Sequence, residues 1–205
     1  MRGEDVMCAF CAIGFPRFRS TDIKDNSLLR RLWDWTDIKH ATTFFSYNHF
    51  SPYHNLVIDF KFHGKSDLAV KMGRWAAMEA MKSGFWDEID ALVPVPLTRW
   101  RKWQRGYNQA ELLARGMSEV TGLPVVNLLR RTENRISQTQ LSNEQRRKNA
   151  EGIYRAFRLE GWRGKHLLLV DDVMTTGSTL ANCALALRDA EKGNEISVFP
   201  LTFAY

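Results

Sequence analysis

The sequence predicts an α/β protein built on a mostly parallel sheet that helices cover. Two observations lead to that fold class. Apolar runs typical of strands alternate along the chain with longer segments of helical periodicity. The 205 residues, of which 44% are hydrophobic and 25% charged, suffice for one domain with a sizeable core. Wholesale disorder is excluded, and no internal repeat or Gly/Ser linker divides the chain.

The elements of the first half follow from residue type and from end signals. The β-branched and aromatic residues 42–47 predict a strand, and the apolar run at 90–96 predicts a buried strand that two prolines stop. Ser66 and Asp67 suit a helix start, and Gly84 and Gly122 suit helix ends. The predicted helices of this half span residues 28–35, 55–63, 66–82 and 108–120.

The second half begins with a long polar segment. Residues 130–149 are basic and carry no strand signal, and loops of that length are usually functional or disordered. Loose alternation at 152–159 and apolar runs at 166–170 and 196–203 predict three strands. A helix at 176–190 connects the last two. This order of strands and helices favours parallel pairing.

Charge and cysteine content narrow the partners and the compartment. Lys and Arg exceed Asp and Glu by 29 − 23, a formal charge of +6, which indicates an anionic partner. Nucleic acid, lipid, nucleotide and sugar phosphate all satisfy that criterion. Three cysteines indicate a reducing compartment, and no signal peptide is visible. The longest charge-free stretch, 41–58, is too polar to span a bilayer, so we expect a cytoplasmic protein without a membrane partner.

The segment LLLVDDVMTTGSTL, residues 167–180, has the residues of a phosphate site. A buried strand ends in Asp171 and Asp172, and a hydroxyl-rich loop around Gly177 leads into a helix. A helix N-terminus beyond a parallel strand suits phosphate, and carboxylates can bind sugar hydroxyls or a metal. We therefore predict a ribose 5-phosphate site. The alternative is that these residues only cap the strand and the helix.

An ATPase interpretation of the same strand fails. A strand of this kind in an ATPase needs a partner loop of the form G-x-x-x-x-G-K-[ST]. The chain contains Gly64-Lys65-Ser66, but Asp59 stands where the first glycine is required.

The string VDDVMTTGSTL, residues 170–180, resembles the phosphoribosyl pyrophosphate signature of type I phosphoribosyltransferases. Other segments are similar to the ComF-like branch of that superfamily, which is associated with bacterial DNA uptake. They are FKFHG at 60–64, VPVPL at 93–97, RGYNQ at 105–109 and SQTQLS at 137–142, followed by RRKN at 146–149. The resemblance runs from about Cys8 to the C-terminus. It implies the type I phosphoribosyltransferase fold with a small N-terminal hood.

The resemblance also implies a set of site residues. Asp171 and Asp172 would be catalytic, contacting the ribose hydroxyls and holding Mg²⁺ directly or through the ligand. The 5-phosphate would be bound by Val173, Met174, Thr175, Thr176, Gly177, Ser178 and Thr179. The pyrophosphate loop and the flexible loop would contribute Pro96, Leu97, Arg99, Arg101, Arg105, Gln138, Arg146, Arg147 and Lys61. An alternative for residues 99–105 is a solvated basic turn with Trp100 and Trp103 packed beneath it.

The implied activity is a Mg²⁺-dependent transfer of phosphoribose from phosphoribosyl pyrophosphate to a nitrogen nucleophile that the sequence does not identify. The alternative is a non-catalytic accessory protein. Such a protein would bind a phosphoribosyl compound or a nucleotide 5-phosphate, or would bind DNA through its basic surface. Neither composition nor motif predicts an oligomeric state.

Two domains follow from the resemblance: an N-terminal segment at 1–40, similar to part of a zinc ribbon, and a phosphoribosyltransferase domain at 41–205. ComF-like proteins commonly carry two Cys-x-x-Cys pairs, whereas this sequence has only Cys8-x-x-Cys11. A closed zinc site needs four ligands, so Zn²⁺ binding by Cys8 and Cys11 stays open. Cys183 lies in a predicted helix and is expected to be a buried apolar residue.

Overall fold

The computed structural model of the protein describes residues 13–18, 22–47, 66–132 and 152–204. In chain order, its elements are α1 (Ser27–Leu32), β1 (Phe45–Tyr47), α2 (Ser66–Ala80), β2 (Ala91–Pro94), α3 (Arg99–Arg105), α4 (Gln109–Thr121), β3 (Leu129–Arg131), β4 (Tyr154–Ala156), β5 (His166–Met174), α5 (Ser178–Ala190) and β6 (Glu195–Ala204). The helix predicted at 55–63 lies outside the described residues.

Four strands form the central sheet in the order β1-β6-β5-β2, and every neighbouring pair in it is parallel. β5 occupies an inner position, paired with β2 from Leu167 to Val170 and with β6 from His166 to Met174. β3 and β4 form a separate antiparallel pair. The predicted α/β fold with a mostly parallel sheet is therefore confirmed.

Helices cover both faces of this sheet, as the alternation of side chains along β5 requires. Leu168 and Val170 pack in one buried cluster with residues of α2 and α4. Leu167 and Leu169 pack in a second cluster with residues of α1, α5 and the β3–β4 pair. Because both faces are covered, the first five residues of β5 are buried, and the four from Leu167 to Val170 are apolar.

The end signals of the helices act as predicted. α2 continues into a short 3-10 turn that ends at Gly84, whose φ is 67°. Asn108 caps α4 by accepting from the Ala110 amide, and Gly122 ends it with φ 74°.

Several boundaries differ from the sequence predictions: β1 begins at Phe45 rather than at residue 42, and α1 ends at Leu32 rather than at residue 35. β5 extends to Met174, past the predicted end at residue 170, because β6 continues to pair with it at Asp171, Val173 and Met174. α5 begins at Ser178, two residues later than predicted. β3 lies partly in the stretch predicted to lack strands, where Arg130 and Arg131 pair with β4 from far along the chain.

The N-terminal segment shares the core of the sheet. Leu28, Leu29 and Leu32 of α1 are buried in the cluster that contains the α5 side chains. The division into domains at residue 40 stays a prediction. Among the residues searched in the described ranges, no helix is both long and apolar enough to cross a membrane.

Candidate functional site

The predicted ligand-binding segments meet at one edge of the central sheet. Because β1, β2, β5 and β6 are parallel, their carboxyl ends lie together, and ligands of such sheets bind beyond that edge. The end of β5 carries Asp171 and Asp172, and the end of β2 leads into residues 95–98. The end of β1 places Tyr47 at the same edge. The topology therefore brings the predicted phosphate and pyrophosphate segments together.

The loop between β5 and α5, residues 175–177, leaves the start of α5 accessible to a ligand. Gly177 is the N-cap residue, with φ 84°, and having no side chain it cannot cap the first helical turn itself. The exposed Thr176 hydroxyl donates to the Ser178 hydroxyl at 3.2 Å. Hydroxyl groups and the positive end of a helix dipole thus lie in one short segment, a combination suited to a phosphate group.

Gly177 also permits close packing of α1 behind the loop. A Cβ at position 177 would lie 2.6 Å from Leu32 Cδ2 and 3.0 Å from Met174 Cε. The buried Leu32 side chain therefore packs directly against the loop at Gly177.

The carboxylates of Asp171 and Asp172 influence titratable groups on opposite faces of the sheet. Burial is the main cause of the raised pKa of the Tyr154 hydroxyl and of the Cys183 thiol, and the negative charge of Asp171 raises both further. Burial likewise raises the pKa of Tyr47, and Asp172 adds to that shift. Tyr154 and Cys183 belong to one buried cluster and Tyr47 to the other. Adjacent strand residues diverge in this way, so the carboxylates can approach different parts of a bound sugar.

A metal ion at this edge would need ligands beyond those that the described residues supply. Among the described residues, no group of three or more His, Cys, Asp or Glu side chains could hold a metal ion. One oxygen of Asp171 already accepts from the Asp172 amide at 2.8 Å. Mg²⁺ is commonly bound through one or two carboxylates together with substrate phosphates. The half-buried Asp171 and Asp172 fit a Mg²⁺ of that kind.

The predicted pyrophosphate segment is partly helical, which corrects its interpretation as a loop or turn. Pro96 and Leu97 lie in the loop after β2, and the Thr98 hydroxyl then accepts from the Arg101 amide to begin α3. Thr98 and Gly106 cap the two ends, so this short helix forms without burying a face.

The aromatic side chains of α3 are exposed. Trp100 is 64% and Trp103 83% accessible to solvent, so the alternative in which they pack beneath a basic turn is wrong. Arg99 and Arg101 are exposed as well. Arg105 is held against α4, because its guanidinium donates to Gln109 Oε1 at 3.2 Å. A hydrogen bond also joins the loop before α3 to the start of α4. The side-chain amide of Asn108, the N-cap residue of α4, donates to the Val95 carbonyl at 3.0 Å.

The remaining predicted site residues lie outside the described residues: Lys61, Gln138, Arg146, Arg147 and the zinc-ligand candidates Cys8 and Cys11. Cys183 is fully buried among apolar side chains, as expected.

Sequence reasoning missed Tyr154 and Arg131, which pair with each other in the β3–β4 sheet beside α5. The Arg131 guanidinium lies 5.5 Å from the centroid of the Tyr154 ring. Arg131 and Tyr154 belong to no recognisable motif, and both lie far in sequence from the phosphate loop.

Comparison with known proteins found several similar sequences. The chain is 39% identical over 101 residues to competence protein F of Haemophilus influenzae, covering 48% of this chain and 44% of that protein. It is 34% identical over 141 residues to the DNA utilization protein YhgH of Escherichia coli K12, covering 66% and 61%. It is 26% identical over 204 residues to competence protein ComFC of Bacillus subtilis, covering 95% and 77%. The first two matches thus span less than two thirds of each relative. No protein-family model matches the chain.

Solved structures with low sequence identity are also similar to this chain. The glutamine phosphoribosylpyrophosphate amidotransferase from Bacillus subtilis, complexed with ADP and GMP, has a TM-score of 0.46 and 20% identity, covering 69% of this chain and 30% of that one. The allosteric regulatory enzyme of purine biosynthesis has a TM-score of 0.45 and 21% identity over the same fractions.

Proposed function

Because the chain is a homologue of the ComF-like competence proteins, we propose that it binds phosphoribosyl pyrophosphate with Mg²⁺ and acts as a phosphoribosyltransferase. One observation carries the proposal. The strand with Asp171 and Asp172 passes through a hydroxyl-rich loop into a helix whose N-cap residue is a glycine. Sugar-hydroxyl acceptors and a phosphate site therefore lie within one short segment at the ligand edge of a parallel sheet.

The proposed roles follow from position. The loop at 175–177 and the first turn of α5 bind the 5-phosphate, and Asp171 and Asp172 accept hydrogen bonds from the ribose hydroxyls. Pro96, Leu97 and the arginines of α3 face the pyrophosphate. In the reaction the bond from the anomeric carbon to pyrophosphate breaks, and a bond from that carbon to a nitrogen nucleophile forms. The residues contribute by holding the ribose in line and stabilising anionic charge. A Mg²⁺ held by Asp171 and Asp172 would add positive charge that stabilises the pyrophosphate as a leaving group.

The carboxylates provide the test of ligand binding. Calorimetry with phosphoribosyl pyrophosphate and Mg²⁺ compares the intact protein with Asp171→Asn and Asp172→Asn. Each substitution removes a charged acceptor and is expected to weaken binding by roughly 10- to 100-fold. Asp189→Asn, at an exposed position near the end of α5, is the matched control and should bind like the intact protein. Unchanged affinity in both site variants, or no binding by the intact protein, would contradict the pocket assignment.

Pyrophosphate release separates the transferase from a binding protein. With phosphoribosyl pyrophosphate and Mg²⁺ present, a panel of bases and amines is screened for release of pyrophosphate. Release that depends on an added nitrogen compound is expected for the transferase. Binding without release under every condition would leave a sensor of phosphoribosyl compounds as the function.

A second candidate function, binding of single-stranded nucleic acid, is favoured by α3. Its seven residues include four cations and no acid: Arg99, Arg101, Lys102 and Arg105. Trp100 and Trp103 are largely exposed on the same helix. Exposed aromatic rings stack with unpaired bases, and the neighbouring cations contact the phosphates.

The tryptophans provide the test of this second candidate. Binding of a short fluorescent single-stranded oligonucleotide is expected to weaken steeply between about 50 and about 200 mM salt. Trp100→Ala with Trp103→Ala should weaken it by at least about tenfold, since stacking contributes about 1–3 kcal/mol per base. Trp33→Ala removes a tryptophan that is 55% exposed at the end of α1 and serves as the control. Equal binding by all variants would exclude α3 as the nucleic-acid surface.

A further inference from the structure

Two buried histidines meet at the edge of the central sheet opposite the ligand edge. His166 is the first residue of β5, and His40 belongs to residues 39–42, here named the docking segment, between α1 and β1. The two residues are 3% and 4% exposed, and their ring centroids are 5.7 Å apart. Within the described ranges, neither ring nitrogen of His40 has a hydrogen-bond partner, and Nδ1 of His166 has none. A proton bound at those nitrogens would therefore meet no acceptor.

The docking segment lies along β6 and holds α1 in place. Val198 forms two backbone hydrogen bonds with it, donating to the His40 carbonyl at 3.0 Å and accepting from the Thr42 amide at 3.2 Å. The side chain of Asn26, which caps α1, donates to the Ala41 carbonyl at 2.8 Å. Since α1 packs behind the predicted phosphate loop, the docking of this segment on β6 also fixes the support of that loop.

One serine hydroxyl joins the two histidines. Ser197 Oγ accepts from the His40 amide at 3.0 Å and lies 2.7 Å from His166 Nε2. If Nε2 of the neutral ring accepts the Ser197 proton, protonation at Nε2 breaks that hydrogen bond. If Nε2 instead donates to Ser197, the added proton is at Nδ1, which has no partner. In either tautomer the second proton of His166 is uncompensated.

The charges around the pair favour its neutral form. Burial is the main cause of the lowered pKa of both histidines, and Lys39 lowers both further. Glu88 and Glu195 oppose these shifts, but both carboxylates are paired with Lys39, and Glu195 is 4.0 Å from His166 Nδ1, beyond hydrogen-bond distance. The charged side chains that face the pair from the surrounding elements are Lys24, Lys39, Glu88, Asp90, Lys165 and Glu195.

We propose that His40 and His166 form an acid-sensitive switch: a proton taken up by either ring releases the docking segment from β6, and α1 with it. In the released state the rings reach water, and their pKa returns toward the ordinary value of about 6.5. The segment is therefore docked above about pH 7, and release is favoured as the pH falls through about 6.5. Between about pH 7.5 and about pH 5.5, each histidine that binds a proton only after release favours that state by about tenfold.

Hydrogen exchange in low concentrations of urea measures the release. The amides of Thr42 and Val198 bridge the docking segment and β6, whereas the Val126 amide donates to Leu92 beside β2. Thr42 and Val198 are expected to open at a lower free energy and with a weaker urea dependence than Val126, which identifies local release. After correction for intrinsic exchange, their opening should increase by roughly tenfold or more from about pH 7.5 to about pH 5.5. Opening only together with Val126, or no acid response, would refute the switch.

Methionine, of similar volume, removes the titration at each position. His40→Met is expected to reduce the acid response of Thr42 and Val198 by about tenfold, and adding His166→Met should leave their opening constant within about twofold. Val198→Ala is the control, because it shortens a buried side chain beside the docking segment without changing a titratable group. It should increase release at both pH values and keep the acid response. An equal acid response in the intact protein and the double variant would refute the switch, as would its loss in Val198→Ala.

The intact protein allows a second measurement that requires no variant. Nitrogen NMR of the imidazole rings reports their protonation, and both rings are expected to stay neutral at about pH 5.5 while the segment is docked. Protonation of either ring near pH 6.5 with the segment still docked would contradict the proposal. These experiments contain no ligand, so the switch and the proposed function are tested independently.

Discussion

Gly116→Ala is expected to lower the free energy of unfolding by about 3 kcal/mol, because the methyl group has no space between α4 and α2. A Cβ at Gly116 would overlap the Val70 carbonyl oxygen of α2 and lie 2.9 Å from the Arg74 amide nitrogen. On the facing helix, a Cβ at Gly73 would overlap the Leu113 carbonyl oxygen. Backbone atoms cannot move aside as a flexible side chain can, so the two helices must separate.

Urea denaturation measures this effect, and the chain offers a matched control. Gly193→Ala adds the same methyl group where the nearest atom would be Glu191 Oε1 at 3.5 Å, an ordinary contact distance. It is expected to change the free energy of unfolding by no more than about 0.5 kcal/mol. Equal stabilities of Gly116→Ala and Gly193→Ala would show that α2 and α4 do not pack as closely as described.

Gly177→Ala is expected to weaken phosphoribosyl pyrophosphate binding by at least about tenfold. A left-handed conformation costs about 1–3 kcal/mol for residues other than glycine, and φ is 84° at this position. In addition, the new methyl group would press against Leu32 Cδ2. Both effects displace the backbone of the phosphate loop. The measurement is calorimetry with Mg²⁺ present, with circular dichroism to establish that the variant is folded.

A second substitution separates the two causes. Leu32→Ala removes the side chain that the new methyl group would meet, so Gly177→Ala combined with Leu32→Ala should regain part of the affinity. The backbone strain remains in the double variant, and full recovery is not expected. If Gly177→Ala alone bound the ligand as tightly as the intact protein, the loop would not form the phosphate site.

The contiguous part of the site could be predicted from sequence, since one segment carries the strand, both carboxylates, the loop glycine and the helix start. The relatives confirm the resemblance to the ComF-like branch that this segment and the other motifs indicated. Parallel topology could be predicted as well, because strands buried on both faces are apolar throughout. The assignment of each residue to a ligand group stays a prediction.

Other features depend on contacts between distant segments. Tyr154 of β4 packs in one buried cluster with Leu180 and Cys183 of α5, and no local pattern encodes that packing. β3 pairs with β4, which follows the long polar segment in the sequence. By contrast, α3 had a local signal in Thr98 and Gly106, but its uniformly polar and aromatic residues lack the apolar periodicity that identifies a helix.

The location of the ribosyl phosphate is the central claim, and backbone NMR tests it most directly. Phosphoribosyl pyrophosphate with Mg²⁺ is titrated into ¹⁵N-labelled protein. The largest amide shifts are predicted for Thr176, Gly177, Ser178 and Thr179, with no comparable change at Gly193, which follows the C-terminal end of α5. Saturable binding that leaves the amides of residues 176–179 unchanged would contradict the account.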